Sequence, residues 1–370
     1  MRYLIRWSLV ALICIYSVDT KAQILEDSAA IKILTDGMYN IYNLEFDKAE
    51  TALKDLTEAY PRHPVLSLFN GMKIYWENFP ILPSSSASLR FESEMKKCIG
   101  SSEMENYPSP EYEAEYLLAN ICARGLLLLF YADNDVSGEV MYLAKRTYRP
   151  LMRSFNFTSS CSDFYYFTGI YNYYRDAYPR VYPVYKTVAF MFPQGDMELG
   201  LLQLEKCGEN SLALRAEAYS ILSWIRMNFE TDFKTALPYS RHLIDQYPFN
   251  PLYKVYYIKN LLLLRRYDEA EKVIMKAGKA DGNLFYKAVT LIFNGIIQEK
   301  KYRNNKLAQE LYMKGIDKVS VFGAYGNEYA AYGYFGLSRI GEETADKHER
   351  KMNHRKAMDL VDFKNITFDE

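Results

Sequence analysis

The sequence has few of the residues from which most catalytic and metal sites are built. Its 370 residues include only four His and five Cys. His348 and His354 are six residues apart, whereas the zinc-binding H-E-x-x-H pattern places its two His at i and i+4 on one helix face. Neither a G-x-S-x-G turn nor a phosphate-binding loop occurs. We therefore expect no catalytic residue, no metal and no cofactor, and we predict that the protein is not an enzyme.

An excess of one charge sign is also lacking. Lys and Arg number 45 and Asp and Glu number 46, which leaves a net charge of −1. A protein that binds the phosphate backbone of DNA or RNA needs a positively charged face to replace the counterions. The charge balance therefore predicts no nucleic-acid partner.

Long apolar runs and strand patterns are missing after residue 22. A membrane-spanning helix needs roughly 20 apolar residues, and the run from Leu126 to Tyr131 is far shorter. No sustained alternation of apolar and polar residues, which would indicate β-strands, is present. We expect an all-α fold with no transmembrane segment in the mature chain.

Residues 1–22 have the pattern of a secretory signal peptide. Two Arg precede an apolar run from Trp7 to Val18, and Thr20 and Ala22 supply the small residues of a cleavage site. We expect cleavage after Ala22 and export of the protein to the periplasm or the medium, with association with the cell envelope left open. Lipidation of Cys14 is disfavoured because Ile13, a large residue, precedes it.

Four cysteines remain after the predicted cleavage: Cys98, Cys122, Cys161 and Cys207. An exported protein meets an oxidising compartment, so an even number of cysteines is compatible with disulfides. Buried unpaired thiols, which pack as small apolar groups, are the equal alternative. The spacings match no zinc motif.

A recurring pattern predicts pairs of helices. Phe46-x-x-Ala49, Phe233-x-x-Ala236 and Tyr267-x-x-Ala270 each open an apolar stripe of helical period, and the last two Ala are 34 residues apart. Pro61 and Pro248 end two of these helices, because a proline disfavours helix in the residue before it. One pair buries too little area to fold alone, so neighbouring pairs must stack.

These motifs resemble the tetratricopeptide repeat. A closer resemblance, to exported bacterial repeat proteins, covers roughly residues 30–360 through Tyr60-Pro-Arg-His-Pro64, Trp76 and the segment Phe192–Leu204; a similar central architecture resembles eukaryotic repeat proteins of the outer-membrane or inclusion-body clearance type. The prediction is a signal peptide at 1–22 and a helical repeat domain at 23–370, with the clearest repeats at about 30–64, 217–250 and 251–284 and a divergent central part at about 80–210.

In tetratricopeptide proteins the first helix of each pair lines a concave groove. The resemblance therefore implies that Met38 and Tyr42 of the first repeat, Asn228 of a middle repeat and Lys259 of the next point into that groove. Packing between repeats is the alternative role for each of these residues.

An aromatic segment, FYYFTGIYNYYRDAYPRVYPVY, runs from Phe164 to Tyr185 and contains ten Phe or Tyr. Phe164, Phe167, Tyr171, Tyr174 and Tyr178 follow a helical stripe. We expect a helix packed between two layers and broken at Pro179 and Pro183. The alternative is an exposed aromatic groove that stacks on sugar rings or holds a peptide.

We predict an all-α, antiparallel helix-hairpin solenoid of about sixteen helices. The expected function is non-catalytic: a scaffold or adaptor of the cell envelope that holds a peptide or a partner protein in a helix-lined groove. A glycan-binding accessory protein at the cell surface is the alternative. An enzyme whose site is scattered over several helices is a third possibility, and it requires a pocket with paired carboxylates or His.

Overall fold

The computed structural model describes residues 23–83, 85–181, 183, 186, 190, 192–276, 278–343 and 346–369. The predicted signal peptide lies outside these residues. The described residues form sixteen α-helices and no β-strand. The helices are α1 (Ser28–Tyr42), α2 (Phe46–Ala59), α3 (Val65–Glu77), α4 (Ser86–Ser101), α5 (Glu113–Asp133), α6 (Ser137–Ser154), α7 (Phe164–Val181), α8 (Met197–Asn210), α9 (Arg215–Asn228), α10 (Phe233–Gln246), α11 (Pro251–Leu263), α12 (Tyr267–Met275), α13 (Leu284–Lys300), α14 (Asn305–Ser320), α15 (Ala324–Glu343) and α16 (Lys347–Leu360).

The helices pack as consecutive pairs, which confirms the all-α prediction. Each odd-numbered helix contacts the even-numbered helix that follows it, and that helix in turn contacts the first helix of the next pair. The first helices also contact one another along α1, α3 and α5 and along α9, α11, α13 and α15. The apolar side chains that these contacts bury form one large core cluster and two smaller ones.

The aromatic-x-x-Ala motifs start the second helices of three pairs, as predicted. Helices α2, α10 and α12 begin at the aromatic residue of the motif. Ala49, Ala236 and Ala270 are completely buried. A methyl group is the largest side chain that fits such a contact between two helix backbones, which explains the residue type.

Five pairs share the same turn between their two helices. In each turn, the residue two positions before the second helix has a left-handed backbone, with φ between 51° and 57°. Non-glycine residues seldom adopt this conformation. Its recurrence shows that one turn geometry is reused along the chain. The five residues are Leu44, Asp135, Thr231, Arg265 and Arg303.

The aromatic segment forms α7, which packs closely on α8. A Cβ on Gly169 would come within 2.9 Å of the backbone oxygen of Gly200, so only glycine permits this approach. The prediction that Pro179 breaks the helix is wrong, because α7 continues to Val181. Pro179 lies near the C-terminus of α7, where the single helical hydrogen bond that proline removes is a small loss.

Helix α9 has no N-cap side chain of its own. It begins at Arg215, and its N-cap residue Leu214 has no side-chain oxygen. The buried carboxylate of Asp163, from the start of α7, accepts the backbone N–H groups of Leu212, Ala213 and Leu214 at 2.8–3.0 Å. A carboxylate from another helix thus replaces the local cap. Helix α8, in contrast, is capped locally, because Oδ1 of Asp196 accepts the N–H of Leu199 at 3.0 Å.

Helices of the first pairs contact helices of the last pairs. The hydroxyl groups of Tyr75 in α3 and Tyr325 in α15 are 3.0 Å apart, although 250 residues separate them. The side-chain amide of Asn283, which caps α13, donates to the carbonyl of Phe79 at 2.6 Å. The inner face of the N-terminal helices is therefore opposed by other helices of the same chain.

Two further predictions concern membrane spans and cysteines. Among the described residues, the helical stretch Pro110–Asp133 alone is long and apolar enough to cross a membrane, and 67% of its apolar window is buried in the fold. The four cysteines are free thiols; Cys98 and Cys207 are buried, and Cys122 and Cys161 are partly exposed.

Candidate functional site

The four residues predicted to line a groove all lie on first helices of pairs and are buried. Met38 and Tyr42 on α1 are 7% and 2% exposed, and Asn228 on α9 and Lys259 on α11 are 1% and 2% exposed. The structure brings Asn228 and Lys259 into direct contact and places Met38 at the wall of a cavity. The four residues therefore belong to the interior rather than to an open surface.

A cavity of about 500 Å³ lies among the first helices of the N-terminal half. Helices α1, α3, α5, α7 and α9 contribute most of its wall, and α6 closes one side. The lining is almost entirely apolar and includes Met38, Phe69 and Phe167. Leu129 and Leu212 also line it and are 47% and 48% exposed, so the cavity reaches solvent near both. Its size is in the range of small-ligand sites in proteins.

Glu217 on α9 contributes a carboxyl group to this wall. The hydroxyl of Tyr42 donates to Oε1 of Glu217, whereas the buried Oε2 has no hydrogen-bond partner. Burial raises the pKa of this carboxyl to about 8. The rings of Tyr247 and Tyr253 lie against Tyr42 and complete the surroundings of the carboxyl. Oε2 has almost no accessible surface, so a ligand in the cavity reaches it only if neighbouring side chains move.

A second carboxylate in the cavity wall, Glu115 on α5, binds the backbone just before α1. Its oxygens accept the backbone N–H groups of Ile24 and Leu25 at 3.0 and 3.3 Å, and Nε2 of His63 lies 2.6 Å from Oε1. Nδ1 of His63 accepts the N–H of Val65 at 3.1 Å, whereas Nε2, although close to Glu115, makes no hydrogen bond of satisfactory geometry. Both oxygens of Glu115 therefore have partners, and this carboxylate acts as a structural element of the wall.

A buried ion pair joins α9, α11 and α15. The ammonium group of Lys259 donates to Oδ1 of Asn228 at 2.8 Å and to Oε1 of Glu328 at 2.6 Å, and it lies 5.3 Å from the ring centre of Tyr332. Tyr332 in turn hydrogen-bonds to Glu328. Because every donor of such a buried group needs a partner, this network fixes the relative position of the three helices.

Hydrogen bonds among Tyr75, Asp133 and Tyr325 link the N-terminal and C-terminal helix pairs. The hydroxyl of Tyr325 donates to Oδ2 of Asp133 at 2.9 Å and contacts the hydroxyl of Tyr75. Burial raises the pKa of Asp133 to about 7. Asp133 ends α5, so this cluster connects α3, α5 and α15.

Sequence reasoning missed the carboxylates of the interior. Glu115 and Glu217 each lie near the start of a predicted apolar stripe, which is also where solvent-facing glutamates occur in amphipathic helices. The sequence contains a weak indication of the contact between Asn228 and Lys259. Asn228 and Lys259 are 31 residues apart, close to one repeat length, and polar residues at equivalent positions of stacked repeats face each other.

The His, Cys, Asp and Glu side chains of the described residues are dispersed. In the part of the chain that the structure describes, no group of three or more His, Cys, Asp or Glu is placed to hold a metal ion. The carboxyl with a free oxygen, Glu217, is paired with a tyrosine and with neither a second acid nor a His. No family model and no curated protein matches this chain.

Proposed function

We propose that the protein is an exported tetratricopeptide-like solenoid that acts as a non-catalytic scaffold of the cell envelope. In this proposal, it holds an apolar segment of a partner protein in the cavity of its N-terminal half. The main support for this proposal is the cavity of about 500 Å³, whose lining on the inner helices is almost wholly apolar. The shared turn geometry of five helix pairs supports the assignment to a repeat class.

The chemistry of the wall favours apolar side chains as the occupant. Burial of apolar area contributes roughly 25 cal/mol per Å², so several side chains seated against Met38, Phe69 and Phe167 supply substantial affinity. The carboxyl of Glu217 also belongs to this wall, with Oε1 bonded to Tyr42 and Oε2 buried. Met at the wall suits a site that accepts more than one sequence, because its side chain is flexible and polarisable.

The glycan-binding alternative is less well supported by this lining. A sugar carries a hydroxyl on most of its carbons, and each hydroxyl that leaves water needs a hydrogen-bond partner. The cavity wall offers few polar atoms to a sugar, and the free oxygen of Glu217 is buried within the wall. The alternative is kept as an outcome of the experiment below.

Gly125 offers a way to block the cavity without disturbing the core. It lies in the cavity wall, and a Cβ there would meet only the ring of Phe167, at 3.8 Å. Gly125→Phe should therefore place a ring inside the cavity. Gly100→Phe is the matched control, because a Cβ on Gly100 of α4 meets nothing within 4 Å and the residue is exposed. Both changes remove a helical glycine and should not lower helix stability.

The test is an affinity pull-down from native cell envelopes with protein that begins at Gln23. We expect a protein partner to be retained by the unchanged protein and by Gly100→Phe, and to be lost from Gly125→Phe. Fluorescence of anilinonaphthalene sulfonate, an apolar probe, should show the same order of binding, and a purified peptide from the partner should displace it. Equal capture by both variants would refute binding in the cavity. Displacement of the probe by envelope oligosaccharides but not by the partner would favour the glycan alternative.

A further inference from the structure

Helix α6 has an outer face that combines exposed apolar side chains with positive charge. Met141 and Tyr142 are 68% and 61% exposed. Lys145, Arg146 and Arg149 are also exposed and follow at helical spacing, so all five residues share the solvent side of the helix. Neighbouring large apolar side chains that are mostly exposed usually mark an interaction surface.

The end of α7 extends this surface. The ring of Tyr148 on α6 lies 5.0 Å from that of Phe192, and the carbonyl of Phe192 accepts from the guanidinium of Arg175 on α7 at 3.1 Å. Arg175 borders a shallow recess of about 220 Å³ together with other residues of this end of α7 and of the segment that follows. They are Asp176, Pro179, Arg180, Lys186 and Phe190. Phe190 is 88% exposed, the highest value of any large apolar residue in the described chain.

The positive charges of this surface are mostly uncompensated. Lys145, Arg149, Arg180 and Lys186 form no ion pair with any residue that the structure describes. Arg146 donates to the hydroxyl of Tyr142 rather than to a carboxylate. In a chain whose net charge is −1, this is a concentrated basic area. Two acids border it: Asp176, which is paired with Arg175, and Glu139, which is exposed one turn before Tyr142.

We propose that the outer face of α6 and the adjoining end of α7 dock on the surface of an anionic phospholipid bilayer. Met141, Tyr142 and Phe190 enter the boundary between headgroups and acyl chains, and the Lys and Arg side chains contact lipid phosphates. Amphipathic helices that bind membranes carry this same combination of apolar tips and cations. Protein–protein interfaces are also enriched in Met, aromatic residues and Arg, so an acidic protein surface is the other occupant, and a lack of vesicle binding would favour it.

The opposite face of α6 holds the helix to the fold. Val140, Thr147 and Leu151 line the cavity, and Leu143 is buried. The docking helix is therefore a rigid part of the wall, and it can bind a membrane without leaving the fold. Docking would also bring the cavity close to the bilayer, although docking itself requires only the outer face of α6 and the end of α7.

The test is cosedimentation with vesicles of phosphatidylcholine alone and of an equal mixture of phosphatidylcholine and phosphatidylglycerol. We expect the protein that begins at Gln23 to bind the mixed vesicles and to be released by salt. Lys145→Glu/Arg149→Glu should weaken this binding by about thirtyfold or more, since each cation near an anionic surface contributes about 1 kcal/mol. The matched control is Lys351→Glu/Arg355→Glu on α16, another basic and exposed helix, which changes the net charge equally.

Insertion is measured with Tyr142→Trp and lipids brominated on the acyl chain. We expect the fluorescence of the introduced indole to be quenched, measured as the difference from the unchanged protein. Tyr302→Trp, at a residue 50% exposed elsewhere, should show no such added quenching. The proposal is overturned if the unchanged protein does not bind the mixed vesicles, if both charge-reversed variants lose binding equally, or if Tyr142→Trp gives no added quenching. Gly125→Phe should keep vesicle binding, so failure of the cavity proposal and failure of this one are distinguishable.

Discussion

Single residues decide how the interior of this protein responds to pH. Glu217 and Asp133 are carboxylates that lie away from bulk water, and burial raises the pKa of both, to about 8 and about 7. Such groups favour the neutral form because the charged form loses hydration. Each has a tyrosine partner, Tyr42 or Tyr325, whose hydroxyl donates a hydrogen bond to it.

Replacing Glu217 by Gln should flatten the dependence of stability on pH. Below 4.5, the ordinary pKa of the carboxyl, Glu217 is protonated in the folded and the unfolded chain. Between 4.5 and about 8 the unfolded chain releases the proton and the folded chain retains it, so the free energy of unfolding falls as pH rises. The free energy of unfolding of Glu217→Gln should therefore rise relative to that of the unchanged protein, by up to about 1.4 kcal/mol per pH unit in this window.

Urea unfolding at several pH values measures this difference. Glu198→Gln, at an exposed position of α8, is the control. A constant difference between Glu217→Gln and the unchanged protein across the window would show that the carboxyl is hydrated and charged.

At the scale of elements, helix pairs depend on small side chains at the point of closest approach. Ala49, Ala236 and Ala270 are fully buried at the same position in three pairs. The left-handed turn that precedes each of these second helices sets the direction in which the chain returns. Both features repeat because the same helix–helix contact is made again in each pair.

Ala270→Leu should lower the free energy of unfolding by about 1–3 kcal/mol. The added atoms have no space between α11 and α12, and overpacking a dense contact forces shifts in side chains and backbone. Chemical denaturation followed by circular dichroism measures the change. Lys272→Leu, on the exposed side of the same helix, should be within about 0.5 kcal/mol of the unchanged protein. An unaffected Ala270→Leu would contradict the assigned repeat phase.

At the scale of the whole molecule, contacts between distant pairs set this fold apart from an open array. In an open array each repeat contacts only its neighbours, and stability is a sum of local terms. Here the cluster of Tyr75, Asp133 and Tyr325 joins helices that are far apart in the sequence. We therefore expect the N-terminal and C-terminal pairs to unfold together.

Tyr325→Phe should destabilise the protein at both ends of the array. It leaves the buried carboxyl of Asp133 without its donor, which costs about 1–3 kcal/mol. Hydrogen exchange should become faster in α3, which is 250 residues away along the chain, as well as in α15. Tyr302→Phe removes an exposed hydroxyl that bonds Glu271 and should leave exchange in α3 unchanged. Faster exchange confined to α15 would mean that the two ends do not couple.

The candidate site was only partly predictable from the sequence. Met38 was chosen as a residue of the inner face, and it does line the cavity. Asn228 and Lys259 were chosen on the same reasoning, and they direct their hydrogen bonds to each other and to Glu328. The sequence could not show this, because Glu328 follows Lys259 by 69 residues and belongs to another pair.

The sequence by itself determined the helices and the phase of their pairs. Three patterns act over only a few residues: the helical period, the aromatic-x-x-Ala motif and the prolines after α2 and α10. Their effect is local, so it can be predicted from the sequence. Only the tertiary structure decided where the cavity lies and which carboxylates are buried. Glu217 on α9 has the same local sequence character as a surface glutamate, and its environment is made by Tyr42 and by helices more than a hundred residues away. Burial and pKa depend on those distant neighbours, because desolvation is a property of the assembled fold.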